Sequence, residues 1–184
     1  MAPVNGPVAM REIQRKIGRN LVLYQQIERV LKRLVAVSAV ATPPGEMPEA
    51  LDRRLESVHL DPMGAIKTKF LREFLRDVSN PQPQPNQGTD DDIFLSVTVQ
   101  VDSNYHKEVS ALLETVHRDR NELVHHLPTP QHSEHSERLL WLGQYLDEKH
   151  GRALQVFEML QHQLNGLQNA FKYQRFATKN MLIF

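Results

Sequence analysis

A chain of 184 residues is long enough for one domain with a substantial core. Its 22 Lys and Arg balance its 22 Asp and Glu, so no global field draws it to nucleic acid and any such attraction has to be local. It has no cysteine, which excludes disulfides and thiolate metal sites and fits a reducing cytoplasm.

Met1 to Val8 is short, carries Pro3, Gly6 and Pro7, and is expected to fray. From about Ala9 to Ala39 the spacing predicts the first long helix. Ile13, Ile17, Leu21, Tyr24, Ile27, Leu31 and Leu34 recur at threes and fours, like a core-facing or coiled-coil seam. Arg11, Arg15 and Arg19 fall at i, i+4 spacing on its first half, and Arg11 to Arg33 holds seven basic residues against Glu12 and Glu28. Such a ridge can track phosphates and makes Arg11, Arg15 and Arg19 candidate RNA-binding residues. The plainer alternative is a solvated face. Leu34 to Ala41 is apolar, follows Lys32-Arg33 and ends Ala39-Val40-Ala41 in the manner of a signal cleavage site. The basic region before it is too long and is itself an amphipathic helix, which speaks against secretion. No stretch has the apolar length of a membrane span.

Pro43-Pro44-Gly45 ends the first helix, and Pro48 to Val58 reads as a short helix with proline in its first turn. Asp61-Pro62 opens another, Met63 to Val78, with Ile66, Phe70, Leu71, Phe74 and Leu75 apolar and Lys67, Lys69, Arg72 and Arg76 outward. Ser79 to Asp92, rich in Pro, Gln and Asn, is a flexible loop by composition. Ile93, Leu95, Val97, Val99 and Val101 then alternate with polar or aromatic neighbours, as a strand does. No second good strand is evident. This one would pair with an irregular segment, pair with its copy in a dimer, or form an extended arm. Asp102-Ser103-Asn104 follows as a helix cap.

Tyr105 to Leu127 reads as one amphipathic helix on Val109, Leu112, Leu113, Val116, Leu123 and Val124, stopped by Pro128 and Pro130. Its pattern breaks around Arg118 to Asn121. His117, Asn121 and His125 are spaced i, i+4, i+8 and stack along one face, with Arg120 beside them. An imidazole can move a proton near neutral pH, and a guanidinium is a permanent planar cation that matches phosphate oxygens. An asparagine one turn before the histidine can orient a ring or a ligand. Together these groups suit cleavage of an RNA phosphodiester without metal. Arg120, Asn121 and His125 are the catalytic candidates, with His117 and His126 as secondary ones. A solvated helix end with mixed polar residues is the alternative.

Gln131-His132-Ser133-Glu134-His135 is a polar loop. With His125 and His126 it makes a histidine-rich patch of the kind that can bind zinc or nickel, although solvated loop histidines are commoner, and no metal site is assigned. From about Ser136 to Phe176 a last long helix carries Leu139, Leu142, Leu146, Leu154, Phe157, Met159, Leu160, Leu164, Leu167 and Phe171, with an irregularity expected at Gly151. Trp141 and Tyr145, one turn apart, are expected to pack in the core, with base stacking the alternative. The tail Lys172 to Phe184 reads as a segment that docks on something or continues in a longer protein.

Arg120-Asn121-x-x-x-His125, at the end of an inner helix before a proline stop, resembles the R-polar-x3-H signature of the HEPN superfamily. These are all-helical proteins, many of them metal-independent ribonucleases, in which two protomers bring their motifs together across a dimer cleft. The resemblance implies an endoribonuclease acting by 2′-OH transesterification, a toxin or defence effector needing no cofactor. RNA and a second copy would be its partners, with room for an antitoxin or regulatory protein. Members silenced by nucleotidylation carry a tyrosine two residues past the motif histidine. Leu127 stands there, so that control is not implied.

The expected fold is all-α: an up-and-down, HEPN-like helical bundle built on the first helix, the motif helix and the last helix. Residues 42–101 would be an insertion-like, decorated crossover with one extended β segment. The expected setting is cytoplasmic, away from membranes. A non-catalytic helical module of the same fold, binding RNA or a protein, is the competing function.

Overall fold

The stripe from Ile13 to Leu34 forms the spine of the molecule. A computed structural model describes residues 6–80, 92–126 and 136–181, with side chains over 8–80, 92–126 and 138–170. Most of the loop expected over Ser79 to Asp92, and the side chains of the tail from Lys172 onward, therefore lie outside the described residues. Gly6–Ala36 is one helix, α1, so the part of the expected frayed start from Gly6 onward is already helical. Ile13, Tyr24, Ile27, Leu31 and Leu34 are buried as the spacing predicts, and Leu23, Val30 and Val35 widen the stripe. The widening follows from α1 being packed on more than one side.

Ser136–Met181 forms α5, which passes through Gly151 without interruption, correcting the irregularity expected there. Lys16 donates to the Gly143 carbonyl and to Asp147, and Asn20 donates to the Leu146 carbonyl. Rising numbers on α1 meet rising numbers on α5, so the two run parallel. Ser103–His125 forms α4, where Glu122 meets Tyr145 and Asp119 meets Arg152. That pair is antiparallel. Val109, Leu113, Val116 and Leu123 of α4 close one core with Leu139, Leu142, Leu146, Ala153, Val156 and Leu160 of α5 and the stripe of α1. Removing such side chains from water, at about 25 cal/mol per Å² of apolar surface, is what holds the three helices together. Asp102 caps α4 as expected, its carboxylate accepting from the amides of Asn104 and Tyr105.

The segment between α1 and α4 departs from expectation. Helix α1 stops at Ala36, and Ala39–Thr42 is strand β1 rather than helix end. The apolar stretch that resembled a cleavage site is core: Leu34, Val35 and Ala36 in α1 and Val40 in β1 are all buried. Met47–His59 forms α2 and Met63–Lys69 forms α3. The predicted helix Met63 to Val78 then ends early. Phe70–Phe74 is a π-helical turn in which the Leu75 amide donates five residues back to Phe70, and Leu75–Asp77 is strand β2. The wider turn seats Phe70 and Phe74 together in the core, ring centroids 5.4 Å apart.

The single strand expected over Ile93 to Val101 is two strands, β3 (Ile93–Ser96) and β4 (Val99–Val101). β3 pairs antiparallel with β1, Ala39 opposite Ser96 and Thr42 opposite Ile93. β4 pairs parallel with β2, Leu75 opposite Val99 and Asp77 opposite Val101. Both halves therefore find partners inside their own chain, in place of a dimer arm. The protein is mostly helical with two small two-stranded sheets among the described residues. Among the same residues no helix is long and apolar enough to cross a membrane.

Candidate functional site

The last two turns of α4 carry two polar arrays on two sides of the helix, separated by the 100° each residue turns. One side holds the motif. Arg120 Nη1 donates to Asn121 Oδ1 at 3.1 Å, and Asn121 Nδ2 lies 3.2 Å from His117 Nε2. A guanidinium has no acceptor, so the asparagine oxygen has to face Arg120 and its amide nitrogen has to face the imidazole. His117 Nε2 is then the unprotonated, accepting nitrogen, and the ring is neutral. Burial pushes the His117 pKa below the ordinary imidazole value, and the cations of Lys67 and Arg120 push the same way against Glu114. The ring lies over Gly64 in the first turn of α3, where an added Cβ would stand 3.2 Å from both Cε1 and Nε2. Glycine is what lets α3 approach this closely.

His125, one turn further on, is exposed, and its ring meets that of His126 at 6.2 Å between centroids. The structure thus brings Arg120, Asn121 and His117 into one hydrogen-bonded chain and leaves His125 and His126 in solvent beside it. The loop Gln131-His135, with its two further histidines, lies outside the described residues, as do Leu127, Pro128, Pro130 and residues 1–5. Among the described residues no cluster of three or more histidines or acids is disposed to hold a metal.

The other side of α4 carries a buried charge network that sequence reasoning missed. Lys149 Nζ donates to Asp119 Oδ1 and to Glu122 Oε2, each at 2.6 Å. Arg152 closes a fork on Asp119 Oδ2 at 3.0 and 3.1 Å. The Lys149 and Asp119 side chains are only 3% and 4% exposed. Burial would depress the lysine's pKa, but the hydrogen-bonded carboxylates outweigh it and the ammonium is held charged, with its pKa raised. Tyr145 donates to Glu122 at 2.7 Å and offers its ring face to the same ammonium at 4.5 Å. A signal for this was present. Lys149 occupies a core position in the α5 series Leu142, Leu146, Lys149, Ala153, Val156, and Asp119 occupies one between Val116 and Leu123. One acid and one base, each on an apolar stripe, have to find one another.

Trp141 stacks on Tyr145 with centroids 5.1 Å apart and planes inclined 20°. Trp141 is 54% exposed and lies on the surface rather than in the core as expected, whereas Tyr145 is partly buried against the core. Tyr145 faces inward to the Glu122–Lys149 network, which leaves the outer ring to solvent.

The basic ridge of α1 is partly paired with carboxylates. Arg15 forms a two-pronged pair with Glu12 at 2.6 and 2.8 Å, and Arg19 donates to Asp147 at 2.9 Å beside Lys16. Arg11 is exposed. Two of the three arginines expected to meet phosphate are already bound to carboxylates.

Comparison of the chain with protein-family models, with curated proteins and with solved structures finds no match.

Proposed function

We propose that the protein is a metal-independent endoribonuclease of HEPN type, acting as a homodimer. The observation that carries this is the Arg120–Asn121–His117 chain, a fixed guanidinium beside a neutral imidazole, with exposed His125 one turn away. One imidazole would take the proton of the 2′-OH, and the freed oxygen would attack phosphorus. The bond from phosphorus to the 5′ oxygen breaks, a second imidazole protonates that leaving oxygen, and a 2′,3′-cyclic phosphate remains. Arg120 would stabilise the charge that builds on the phosphorane oxygens. Each chain displays one exposed imidazole within the motif, His125, whereas base and acid are both needed. Two copies that place their α4 ends across one cleft supply both. On this reading the enzyme works in the cytoplasm as a toxin or defence effector, with an antitoxin or regulatory protein as a further partner.

The second reading is a non-catalytic RNA- or protein-binding module. It is favoured by the fact that Asn121 occupies the unprotonated nitrogen of His117 and also holds Arg120. One experiment separates them. Purified protein is incubated with structured and unstructured RNA in the presence of EDTA, alongside His125→Ala and Arg120→Ala. Cleavage by the parent, cyclic or 3′-phosphate ends, and a loss of about two or more orders of magnitude in both folded variants are expected. Undiminished cleavage in both variants, or cleavage that chelation abolishes and zinc restores, would defeat the mechanism.

A further inference from the structure

Where α3 and the π-helical turn lie against the first half of α4, a cleft of about 460 Å³ opens. Four cationic side chains line it: Lys67, Arg72 and Arg76 from the α3 side, and Lys107 from α4. Among the described residues Asp77 is its one lining acid, and that carboxylate is already engaged by Ser79 and by Ser103. Of the cations, Lys67 pairs with Glu114 and Arg72 with Glu73. Arg76 and Lys107 form no ion pair among the described residues, and Arg76 Nε is buried without a hydrogen-bond partner there. The cleft thus gathers two cations without an ion pair among the described residues, Arg76 and Lys107, into one concavity, whereas Arg15, Lys16 and Arg19 of the α1 ridge are all paired.

The position of the cleft gives that charge a direction. Helices α3 and α4 are antiparallel, with Leu71 against His106, Lys67 against Glu114 and Gly64 against His117. Lys107, Glu114, Asn121 and His125 share one face of α4, seven or four residues apart. Lys67 lines the cleft and also lowers the pKa of His117, so the cleft and the motif lie within one electrostatic reach. From Lys107 to Asn121 the helix rises about 21 Å at 1.5 Å per residue.

We infer that this cleft is the phosphate track of the protein, seating the backbone of a single RNA strand along α4 and leading it to the motif. The inference rests on the ribonuclease reading for its choice of RNA, and binding is measured apart from cleavage. The probe is a short, fluorescently labelled single-stranded RNA carrying 2′-O-methyl groups throughout, which cannot undergo transesterification. Anisotropy titrations over a range of salt compare the parent with Arg72→Glu/Lys107→Glu, both at exposed positions, and with Arg76→Glu. Arg53→Glu on α2 is the control, and Arg11→Glu/Arg15→Glu tests the rival surface. Both cleft variants should weaken binding about tenfold or more and flatten the salt dependence by roughly 0.7 in log–log slope for each phosphate no longer neutralised, with the control unchanged. Unchanged affinity in the cleft variants overturns the inference. So does a loss confined to the α1 variant, or no binding by the parent. Inorganic pyrophosphate serves as a second probe. If it binds in a cleft-dependent way while the RNA does not, the cleft is a small-anion site and the RNA track is wrong. Cleft-dependent binding of the RNA with no cleavage of unmodified RNA would leave the track standing and remove the nuclease.

Discussion

Removing either partner of the Asp119–Lys149 pair should loosen the motif helix from α5, and by a calculable amount. Both side chains are almost wholly buried, so a lone survivor cannot be rehydrated where it stands. Breaking such a pair costs about 3–5 kcal/mol. The two single variants should differ in where they fall. In Lys149→Met, Asp119 keeps the two-pronged contact from Arg152, which places the loss near ~3 kcal/mol. In Asp119→Leu, Lys149 keeps Glu122 and the face of Tyr145, but Arg152 also loses its buried acceptor, which favours the upper end. With a urea m-value of about 3 kcal/mol/M, at the upper end for small domains, the midpoint should fall by about 1 M or more. The double variant replaces the pair with apolar groups and should cost less than the two single losses summed, by a coupling of about 2 kcal/mol in the cycle. Equilibrium urea unfolding followed by circular dichroism reads all four corners. Single losses that simply add, to within about 0.5 kcal/mol, would show that the two groups do not depend on each other and refute the reasoning.

Acid should destabilise the fold before its carboxylates titrate. His117 and His150 both have lowered pKa values, chiefly through burial, so the folded state prefers them neutral. Their contribution is fully present above the unfolded imidazole pKa of about 6.5 and is lost as pH falls through the lower folded values. Urea midpoints at about pH 7 should therefore exceed those at about pH 5, and His117→Gln should flatten part of that slope; a midpoint that rises on acidification contradicts the assignment. Asn121→Ala removes the amide that engages the neutral ring, so the His117 pKa, followed by nitrogen-resolved NMR, should move up towards the ordinary imidazole value. No movement would mean that Asn121 does not hold the ring. The Tyr24 hydroxyl is buried without a partner among the described residues, so Tyr24→Phe should leave stability unchanged or raise it by up to about 1 kcal/mol; a loss of about 2 kcal/mol or more would reveal a hydrogen bond at that hydroxyl.

The helical frame was legible from the residues alone. Ile13 to Leu34, the α4 stripe and the α5 stripe are long enough for the 3.6-residue period to be unambiguous, and all three helices formed close to the expected bounds. Asp102 was legible as a cap because that bond is local. The motif was legible as a stripe, since i, i+4 spacing alone brings Asn121 to His117. Whatever depends on a distant partner had to wait for packing. Ala39–Thr42 and Leu75–Asp77 carry no strand period of their own and became strands because β3 and β4 offered hydrogen-bond ladders. The exposure of Trp141 was set by Tyr145 turning inward to Glu122, a contact across 23 residues of sequence. Long-range pairing also reassigned the charges. Asp147 engages Lys16 and Arg19 on α1, while Arg76 and Lys107, far apart in the sequence, face one cleft with no ion-pair partner among the described residues. A charge pattern along a chain shows where cations are; only packing decides which of them stay free to meet a phosphate.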